Sequence, residues 1–333
     1  MLQLYTRKKI KVNVPENIAE DKSTRFTIED IKKAKNYYDE NGYVIFSKCV
    51  EPVSCDFLRN LWDKSIKQYN GKIYRQTTGK AEKNIFNENK WIMNPILNIQ
   101  SLNPKLFKNF REDVEQTIFK NKNICSILSN FFNKKPKIIQ SMYFEGNSAT
   151  GEHQDTYYLD SEKIGILTAA WIALEEIKAD AGRFFICPGS HKIDIKKMKY
   201  YDRILSSHDL YIDELISICN QNNLTLKAPF MDKGDVLFWN SKTLHGSLNS
   251  QSKKYSRSSM TLHAIPENHK FLHWHKHYID TPVDDLGDSL IYRRKDQKLI
   301  KNRIVFMFES YFPNLFYLLK KKIAQYFFNQ KHY

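Results

Sequence analysis

The sequence predicts an α+β fold with a mainly β core, preceded by N-terminal helices and followed by a C-terminal helical extension. Short apolar or alternating runs bounded by turn residues recur from about residue 137 to 265 and are typical of strands. The chain before residue 132 and after residue 303 contains segments with helical periodicity. At 333 residues the protein can bury the core of one large domain.

The N-terminal third begins with a polar, basic stretch, residues 1–25, for which we predict a loose arm. Thr27 is a candidate N-cap for a first helix, Gly42 opens a short strand, and a second helix is predicted from Pro52 to about Tyr69. Residues 70–112, rich in Asn, Lys and Ile, are a candidate lid or wall, and residues 113–132 are predicted to be helical.

The core strands follow in the next part of the chain. Ala170–Glu175 alternates, Gly182–Cys187 ends at a Pro-Gly turn, and Lys233–Trp239 is a polar turn that leads into a strand. An insertion at about 194–226, with a helical stretch near 211–221, interrupts them, and such insertions usually shape access to a site. We therefore predict an arm (1–25), a main domain (26–265, β core about 137–265) and a basic, aromatic extension (266–333).

Composition limits the classes of partner and compartment. The net charge of +15 favours an anionic partner, but the chain contains no zinc-finger, helix-turn-helix or RNP-like motif, so nucleic acid is the weaker interpretation. Five scattered cysteines without a CxxC pair suit buried thiols in a reducing cytoplasm. The start lacks the apolar core of a signal peptide, and no run approaches the ~18 apolar residues of a membrane span. We expect a cytoplasmic protein, with possible contact at the inner face of the membrane.

Three side chains form the strongest candidate site. His153 and Asp155 are one residue apart, and on a strand they would point to the same face. His245, from a distant strand, would complete a two-histidine, one-carboxylate set. Such a facial triad leaves open coordination positions on non-haem Fe(II), which an iron that must hold a co-substrate and dioxygen requires.

Arg257 follows the third ligand by twelve positions (257 − 245) and would open the strand that contains Met260. Its guanidinium could form a two-pronged bond with a carboxylate beside the strand of His245. The alternative is a solvated surface arginine.

These motifs together resemble the phytanoyl-CoA dioxygenase family of Fe(II)- and 2-oxoglutarate-dependent oxygenases. The resemblance covers roughly residues 30–265. The matching residues, in the family's order, are His153-Gln154-Asp155, Trp171, Pro188-Gly189-Ser190-His191, Lys233-Gly234-Asp235, His245-Gly246-Ser247 and Arg257.

The resemblance implies a double-stranded β-helix (a jelly-roll, cupin-like fold) that uses Fe(2+), 2-oxoglutarate and O2 to hydroxylate an unactivated C–H bond. His153, Asp155 and His245 would hold the iron. Arg257 would bind the far carboxylate of 2-oxoglutarate, with the Ser247 hydroxyl near it and the Trp171 indole beside the co-substrate. Gln140, Met142 and Tyr143 are expected in the pocket wall; for Trp171, Met142 and Tyr143 the alternative is ordinary core packing.

The substrate is predicted only by class, as a small organic metabolite that is anionic and could be glycan- or lipid-linked. Tyr157 and Tyr158 could line its pocket. Arg183 could bind an anionic group if it faces inward, or be surface charge if it faces outward. A catalytically inactive jelly-roll binding protein and a macromolecule-modifying oxygenase are the alternatives.

The extension carries two further features. His269, His273, His275 and His277 are crowded, and the last three alternate as a strand would require for a second metal site, although nearby lysines would repel a cation. The final aromatic segment, with Lys320–Lys322, could lie on an anionic membrane, on a second subunit or on the protein's own core. The sequence leaves the oligomeric state open.

Overall fold

The structure is a computed structural model that describes residues 1–146, 149–193, 204–251, 254–273, 277–279 and 283–329. It confirms the predicted α+β organisation with a mainly β core. The strands are β1 (Leu2–Tyr5), β2 (Lys11–Val14), β3 (Arg25–Phe26), β4 (Tyr43–Phe46), β5 (Ile73–Tyr74), β6 (Ala81–Glu82), β7 (Ile96–Leu97), β8 (Pro136–Phe144), β9 (Leu159–Ser161), β10 (Thr168–Ala173), β11 (Phe184–Ile186), β12 (Val236–Asn240), β13 (His245–Ser247), β14 (Ser259–Pro266), β15 (Phe271–His273), β16 (His277–Ile279), β17 (Val283–Asp285) and β18 (Leu290–Tyr292).

The helices lie mostly before and after these strands. They are α1 (Ile31–Asn41), α2 (Pro52–Leu61), α3 (Lys108–Val114), α4 (Lys122–Phe132), α5 (Ile204–Gln221), α6 (Ile300–Tyr311) and α7 (Pro313–Asn329). Short π-helical turns, Trp62–Ile66 and Glu115–Phe119, continue α2 and α3. The predicted helices in the first third and in the insertion are therefore present, shifted by a few residues at their ends.

One large sheet supports the site, with strand order β17-β18-β8-β14-β10-β12-β4-β3 and β7 paired to β8. Two small sheets, β11-β13 and β16-β15-β9, form the opposite layer. The layers meet in a buried cluster that contains Trp171 and Leu237 from the large sheet and Phe184, Ile186 and Phe271 from the small ones. The candidate site lies between these layers.

Strand alternation explains why the central strands β10, β12 and β4 are almost entirely apolar. Along β10, Ala170 and Ile172 pack against the helices, whereas Trp171 packs toward the small sheets. On β12, Val236 likewise packs against the helices and Leu237 packs toward the small sheets. Side chains two residues apart share a face, so a strand covered on both faces is apolar at every position.

The first residues do not form a loose arm, so that prediction was wrong. β1 and β2 pair in antiparallel register as a hairpin, with Leu4, Val12 and Val14 buried. These side chains contact Phe185 and Leu248 at the back of the small β11-β13 sheet. Burial of three aliphatic side chains gives the hairpin enough apolar contact to be ordered.

The predicted boundary at residue 265 does not separate the extension from the core. β18 pairs in parallel with β8, and β15 pairs with β9, so both sheets continue into the C-terminal part of the chain. α6 and α7 then form a helical hairpin. The carboxylate of Glu309 is buried there and accepts hydrogen bonds from the Tyr74 hydroxyl at 3.0 Å and the Ala81 N–H at 3.2 Å.

The histidine cluster of the extension does not form one continuous strand. His273 ends β15 and pairs with His277 of β16, while His275 lies outside the described residues. His269 contacts the Ser161 hydroxyl at 2.8 Å, and His273 contacts Arg294 at 3.1 Å. These contacts engage two of the four imidazoles with protein groups.

Candidate active site

His153, Asp155 and His245 converge between the two β layers. The Asp155 Oδ1 atom lies 3.8 Å from His153 Nε2 and 3.6 Å from His245 Nε2. Within the described part of the chain, these three residues form the group whose ligand atoms are close enough for one metal ion, all within 4.8 Å of one another. Asp155 and His245 are buried, and His153 is partly open to the cavity.

The backbone brings the two histidines together in a way that sequence spacing did not predict. His153 and His245 form an isolated antiparallel bridge, with N–H to carbonyl distances of 2.9 and 3.0 Å in the two directions. Asp155 begins a short helical turn, Asp155–Tyr157, and so does not share a strand with His153. The turn carries the carboxylate back toward both imidazoles.

The close approach of the two histidine-bearing segments requires a glycine at position 246, between His245 and Ser247. A Cβ atom there would lie 2.7 Å from the Thr150 carbonyl oxygen and 2.9 Å from that of Gly151. A side chain at this position would therefore push the strand of His245 away from the segment that carries His153.

Hydrogen bonds orient both imidazoles for metal binding. The Nδ1 atom of His153 lies 2.9 Å from the Gly151 carbonyl, and Nδ1 of His245 lies 2.9 Å from the Thr243 carbonyl. A carbonyl only accepts, so each Nδ1 donates, and each Nε2 is the ring nitrogen that remains to bind a metal ion on the side of Asp155. Two imidazole nitrogens and one carboxylate oxygen form a donor set that suits Fe(II).

Two further residues hold Asp155 and were missed by sequence reasoning. Trp239 Nε1 donates to Asp155 Oδ2 at 2.8 Å, and His263 Nε2 lies 3.4 Å from the same oxygen. This leaves Oδ1 directed at the two ligand histidines. His263 could have been found from strand period, because it lies an even number of residues after Arg257 in a predicted strand.

The electrostatics favour the metal-binding protonation states. Burial alone would raise the pKa of the Asp155 carboxyl, but the imidazoles of His245 and His263 outweigh it and hold that pKa well below its usual range. Burial, followed by the nearby His153, lowers the pKa of His245 to about 3. At neutral pH the site therefore contains a carboxylate and a neutral His245 imidazole.

Arg257 is buried, 3% exposed, and faces the same inner cavity as the three ligands. Its guanidinium donates to the Gly182 carbonyl at 3.3 Å and lies over the rings of Phe144 and Trp171. No described carboxylate forms an ion pair with it, and its Nε–H has no hydrogen-bond partner. Burial lowers the pKa of Arg257 to about 10, so the group is still a cation at neutral pH. A buried cation without an acidic partner fits an anionic ligand.

Ser247 and Trp171 also line this inner cavity. The Ser247 hydroxyl accepts a hydrogen bond from the Thr150 N–H at 2.8 Å, and the Trp171 indole stacks on Phe184 with a centroid distance of 5.6 Å. Trp171 therefore packs in the core and forms cavity wall at the same time.

The predicted pocket residues of β8 divide between the two faces of the sheet. Met142 lines the inner cavity, and both Gln140 and Met142 line a larger outer cavity next to it. Tyr143 points to the helical face, where its ring stacks on Trp62 at 3.8 Å, so its predicted place in the pocket wall was wrong. Alternation along a strand does not allow Met142 and Tyr143 to share one face.

The three predicted substrate residues have different roles. Tyr158 lines the larger outer cavity that leads to His153 and Asp155, and its hydroxyl contacts His208 Nε2 at 2.7 Å. Tyr157 is buried against Tyr211. Arg183 is also fully buried, and its guanidinium donates to the Pro15 carbonyl at 2.6 Å and the Ile177 carbonyl at 2.5 Å. It anchors the N-terminal segment away from the cavity, so neither the substrate role nor the surface alternative is correct.

A larger outer cavity of about 920 Å³ leads to His153 and Asp155. Gln76, Thr78 and Lys80 form part of its wall, so part of the segment 70–112 has the second of the two roles considered for it, lid or wall. Six cations line it: Arg7, Lys8, Lys80, Arg294, Lys295 and Lys320. Besides Asp155, the acidic residues of its lining are Glu152 and Asp209.

Comparison with known proteins agrees with this geometry. The family model "Phytanoyl-CoA dioxygenase (PhyH)" matches residues 38–259. A phytanoyl-CoA dioxygenase domain-containing protein 1 homolog of Caenorhabditis elegans is 28% identical over 153 residues, which are 44% of this chain and 52% of that protein. Phytanoyl-CoA dioxygenase 1 of Oryza sativa is 30% identical over 147 residues, 43% of this chain and 50% of the relative. The chain thus spans about half the length of these two relatives.

Solved structures support the fold. The non-heme alpha ketoglutarate dependent carbocyclase SnoK from nogalamycin biosynthesis superposes with a TM-score of 0.53 at 15% identity, over 75% of this chain and 89% of SnoK. The corresponding epimerase SnoN gives a TM-score of 0.53 at 12% identity, over 80% of this chain and 99% of SnoN. The fold is the predicted jelly roll, and because the family model matches two-thirds of the chain, the protein belongs to the phytanoyl-CoA dioxygenase family.

Proposed function

We propose that this protein is a non-haem Fe(II)- and 2-oxoglutarate-dependent dioxygenase that hydroxylates a small, anionic organic molecule. One observation supports the proposal. Arg257, a buried cation with no carboxylate partner among the described residues, lines the same inner cavity as three converging metal ligands. A dicarboxylate co-substrate could bind a metal ion held by these ligands with one end and Arg257 with the other. In the overall reaction, 2-oxoglutarate, O2 and a C–H bond are converted into succinate, CO2 and a C–OH group.

The position of each residue in the site determines its proposed role. His153, Asp155 and His245 would hold the iron from one side, and when bound the metal supplies activation of dioxygen and oxidation of the C–H bond. Arg257 would bind and orient the far carboxylate of the co-substrate, beside the Ser247 hydroxyl. The aromatic rings of Trp171, Phe184 and Trp239 line the inner cavity and limit the entry of water.

The outer cavity supports an anionic substrate. Four of its cations, Arg7, Lys80, Arg294 and Lys320, have no carboxylate partner among the described residues. Clefts lined by one sign of charge concentrate ligands of the opposite sign. A suitable substrate would place a phosphate or carboxylate group among these cations and a C–H bond near His153.

We place the protein in a reducing compartment such as the cytoplasm, since all five cysteines are free and buried. No helix within the described residues is long and apolar enough to cross a membrane.

The proposal is tested by Asp155→Ala. Removal of a first ligand should lower uncoupled 2-oxoglutarate turnover by more than about 100-fold, since even outer-shell changes cost ~10–100-fold. The measurement is succinate formation with Fe(II) and O2. Asp56→Ala is a matched control, because Asp56 forms a surface ion pair with Lys233 at 2.9 Å, away from the cavity. Wild-type turnover in the Asp155 variant would exclude the proposed iron site.

A further inference from the structure

The helical hairpin formed by α6 and α7 presents its large apolar side chains to solvent. On α6, Ile300, Ile304, Met307 and Tyr311 are 66%, 61%, 56% and 75% exposed. Their spacings of four, three and four residues place them on one face of the helix. Among the described side chains of α7, the exposed apolar ones are Leu315, Leu318, Leu319 and Ile323. A globular protein normally turns such a stripe toward its core, and this one turns it outward.

This orientation is held by specific contacts on the opposite face. Glu309 is 2% exposed and accepts hydrogen bonds from the hydroxyls of Tyr74 and Tyr317, at 3.0 and 2.5 Å, and from the Ala81 N–H. Phe306 packs edge-on against Tyr74 at 5.2 Å. Contacts to Tyr74 and Ala81 therefore dock the hairpin through the face that carries Glu309, and the outward apolar face is a consequence of that docking.

The charges around this face identify the chemistry of its partner. Residues 298–323 contain six cations, Lys298, Lys301, Arg303, Lys320, Lys321 and Lys322, and their single acidic residue is the buried Glu309. Two copies that met through this face would bring like charges together at its rim, which opposes association. An anionic surface would neutralise the rim while it covered the apolar side chains.

We propose that the hairpin docks on an anionic phospholipid membrane, with α6 and α7 in the plane of the interface. Exposed Ile, Leu, Met and Tyr side chains would enter the headgroup and acyl boundary, and the lysines would contact the lipid phosphates. This location would be interfacial, consistent with the lack of a spanning helix among the described residues.

The surface also connects to the cavity of the candidate site. Tyr317 and Lys320 of α7 line the outer cavity, while their neighbours Leu318 and Leu319 are exposed on the apolar face. Docking would place one wall of that cavity at the level of the lipid headgroups. If the proposed oxygenase function holds, the substrate would be an anionic amphiphile taken from the membrane itself.

The test is co-sedimentation of the full chain with vesicles. We expect weak binding to phosphatidylcholine alone, strong binding when phosphatidylglycerol makes up half of the lipid, and release as salt is raised. The double variant Ile304→Asn/Met307→Asn should bind the anionic vesicles at least about tenfold more weakly, because two apolar side chains that would enter the membrane are lost. Lys321→Gln/Lys322→Gln should weaken binding to anionic vesicles and reduce its salt dependence.

The control is Val53→Asn/Phe57→Asn, which alters an equally exposed pair on α2, 73% and 55% exposed, outside the hairpin. This variant should bind vesicles as the wild type does. Equal binding to neutral and anionic vesicles would overturn the proposal, and so would a concentration-dependent dimer that the Ile304/Met307 variant abolishes without any vesicle binding. Because Asp155→Ala should still bind vesicles, failure of the membrane proposal and failure of the enzymatic one are distinguishable.

Discussion

The backbones of His153 and His245 hydrogen-bond to each other in both directions, although the two residues are 92 positions apart (245 − 153) in the chain. This bridge joins the segment before the Asp155 turn to β13 of the small sheet. The rigid backbone pair, and not the spacing of a single strand, determines the separation of the two imidazoles. Ligands held on paired backbone are positioned more exactly than ligands on free loops.

The co-substrate site makes a specific prediction about Arg257. Arg257→Lys should raise the KM for 2-oxoglutarate by about ten- to a hundredfold, because one charge-assisted, two-pronged contact worth ~1.5–3 kcal/mol is lost. Arg59→Lys is the matched control, since Arg59 is partly exposed and pairs with Glu175 at 3.0 Å. An unchanged KM in steady-state assays would show that Arg257 does not hold the co-substrate.

The hydrogen bond from Trp239 to Asp155 should matter for metal binding. Trp239→Phe keeps an aromatic ring in the cavity wall and removes the N–H that lies 2.8 Å from Oδ2. We expect a roughly 10–100-fold loss of Fe(II) affinity. Titration of the metal-free protein with Fe(II) under anaerobic conditions measures it. Trp171→Phe, which alters a ring in the same cavity without a bond to Asp155, should change the Fe(II) affinity much less.

His263 gives a second test of how Asp155 is held. His263→Phe removes the imidazole 3.4 Å from Asp155 Oδ2, while His263→Gln can still present a donor to the carboxylate. The Phe variant should lose Fe(II) affinity by ~10–100-fold, and the Gln variant should lose less. Equal affinity in both variants and the wild type would mean that His263 does not position the ligand.

The N-terminal hairpin should contribute measurably to stability. Val14 is fully buried against the small sheet, so Val14→Ala should lower the free energy of unfolding by about 2 kcal/mol. Val53→Ala, at a position that is 73% exposed, should have almost no effect. Urea unfolding compares the two. Equal stability of both variants would restore the interpretation of residues 1–25 as a loose arm.

The metal-free protein should lose stability as pH falls from neutrality. Burial lowers the pKa of His245 to about 3 from an ordinary value of 6.5, and burial also lowers the pKa of His191, His208 and His269. Below about pH 6.5 the unfolded chain therefore binds protons that the folded chain does not, so acid favours unfolding. The urea midpoint should fall between about pH 7.5 and pH 5, and it should fall less in His245→Gln. A midpoint independent of pH would contradict the lowered values.

The sequence alone predicts the metal ligands and several of the strands that surround them. The ligand histidines and Asp155 were identified by their residue types and by motifs that keep a fixed order, and the strands β10, β12 and β14 by their periodicity. These features depend on short-range chemistry: alternation follows from strand geometry, and a metal needs particular donor atoms. The family match confirms that this information was sufficient for the class of protein.

Only the tertiary structure decided the rest, because it depends on which distant segments pack together. Local sequence could not show that Val12 and Val14 would be covered by Phe185, or that Arg183 would be buried under the carbonyl of Pro15. Likewise, the positions of Trp239 and His263 around Asp155 follow from the pairing of β12 and β14 with β10. Non-local strand pairing is set by the burial of whole faces, so it is a property of the assembled core and not of any one segment.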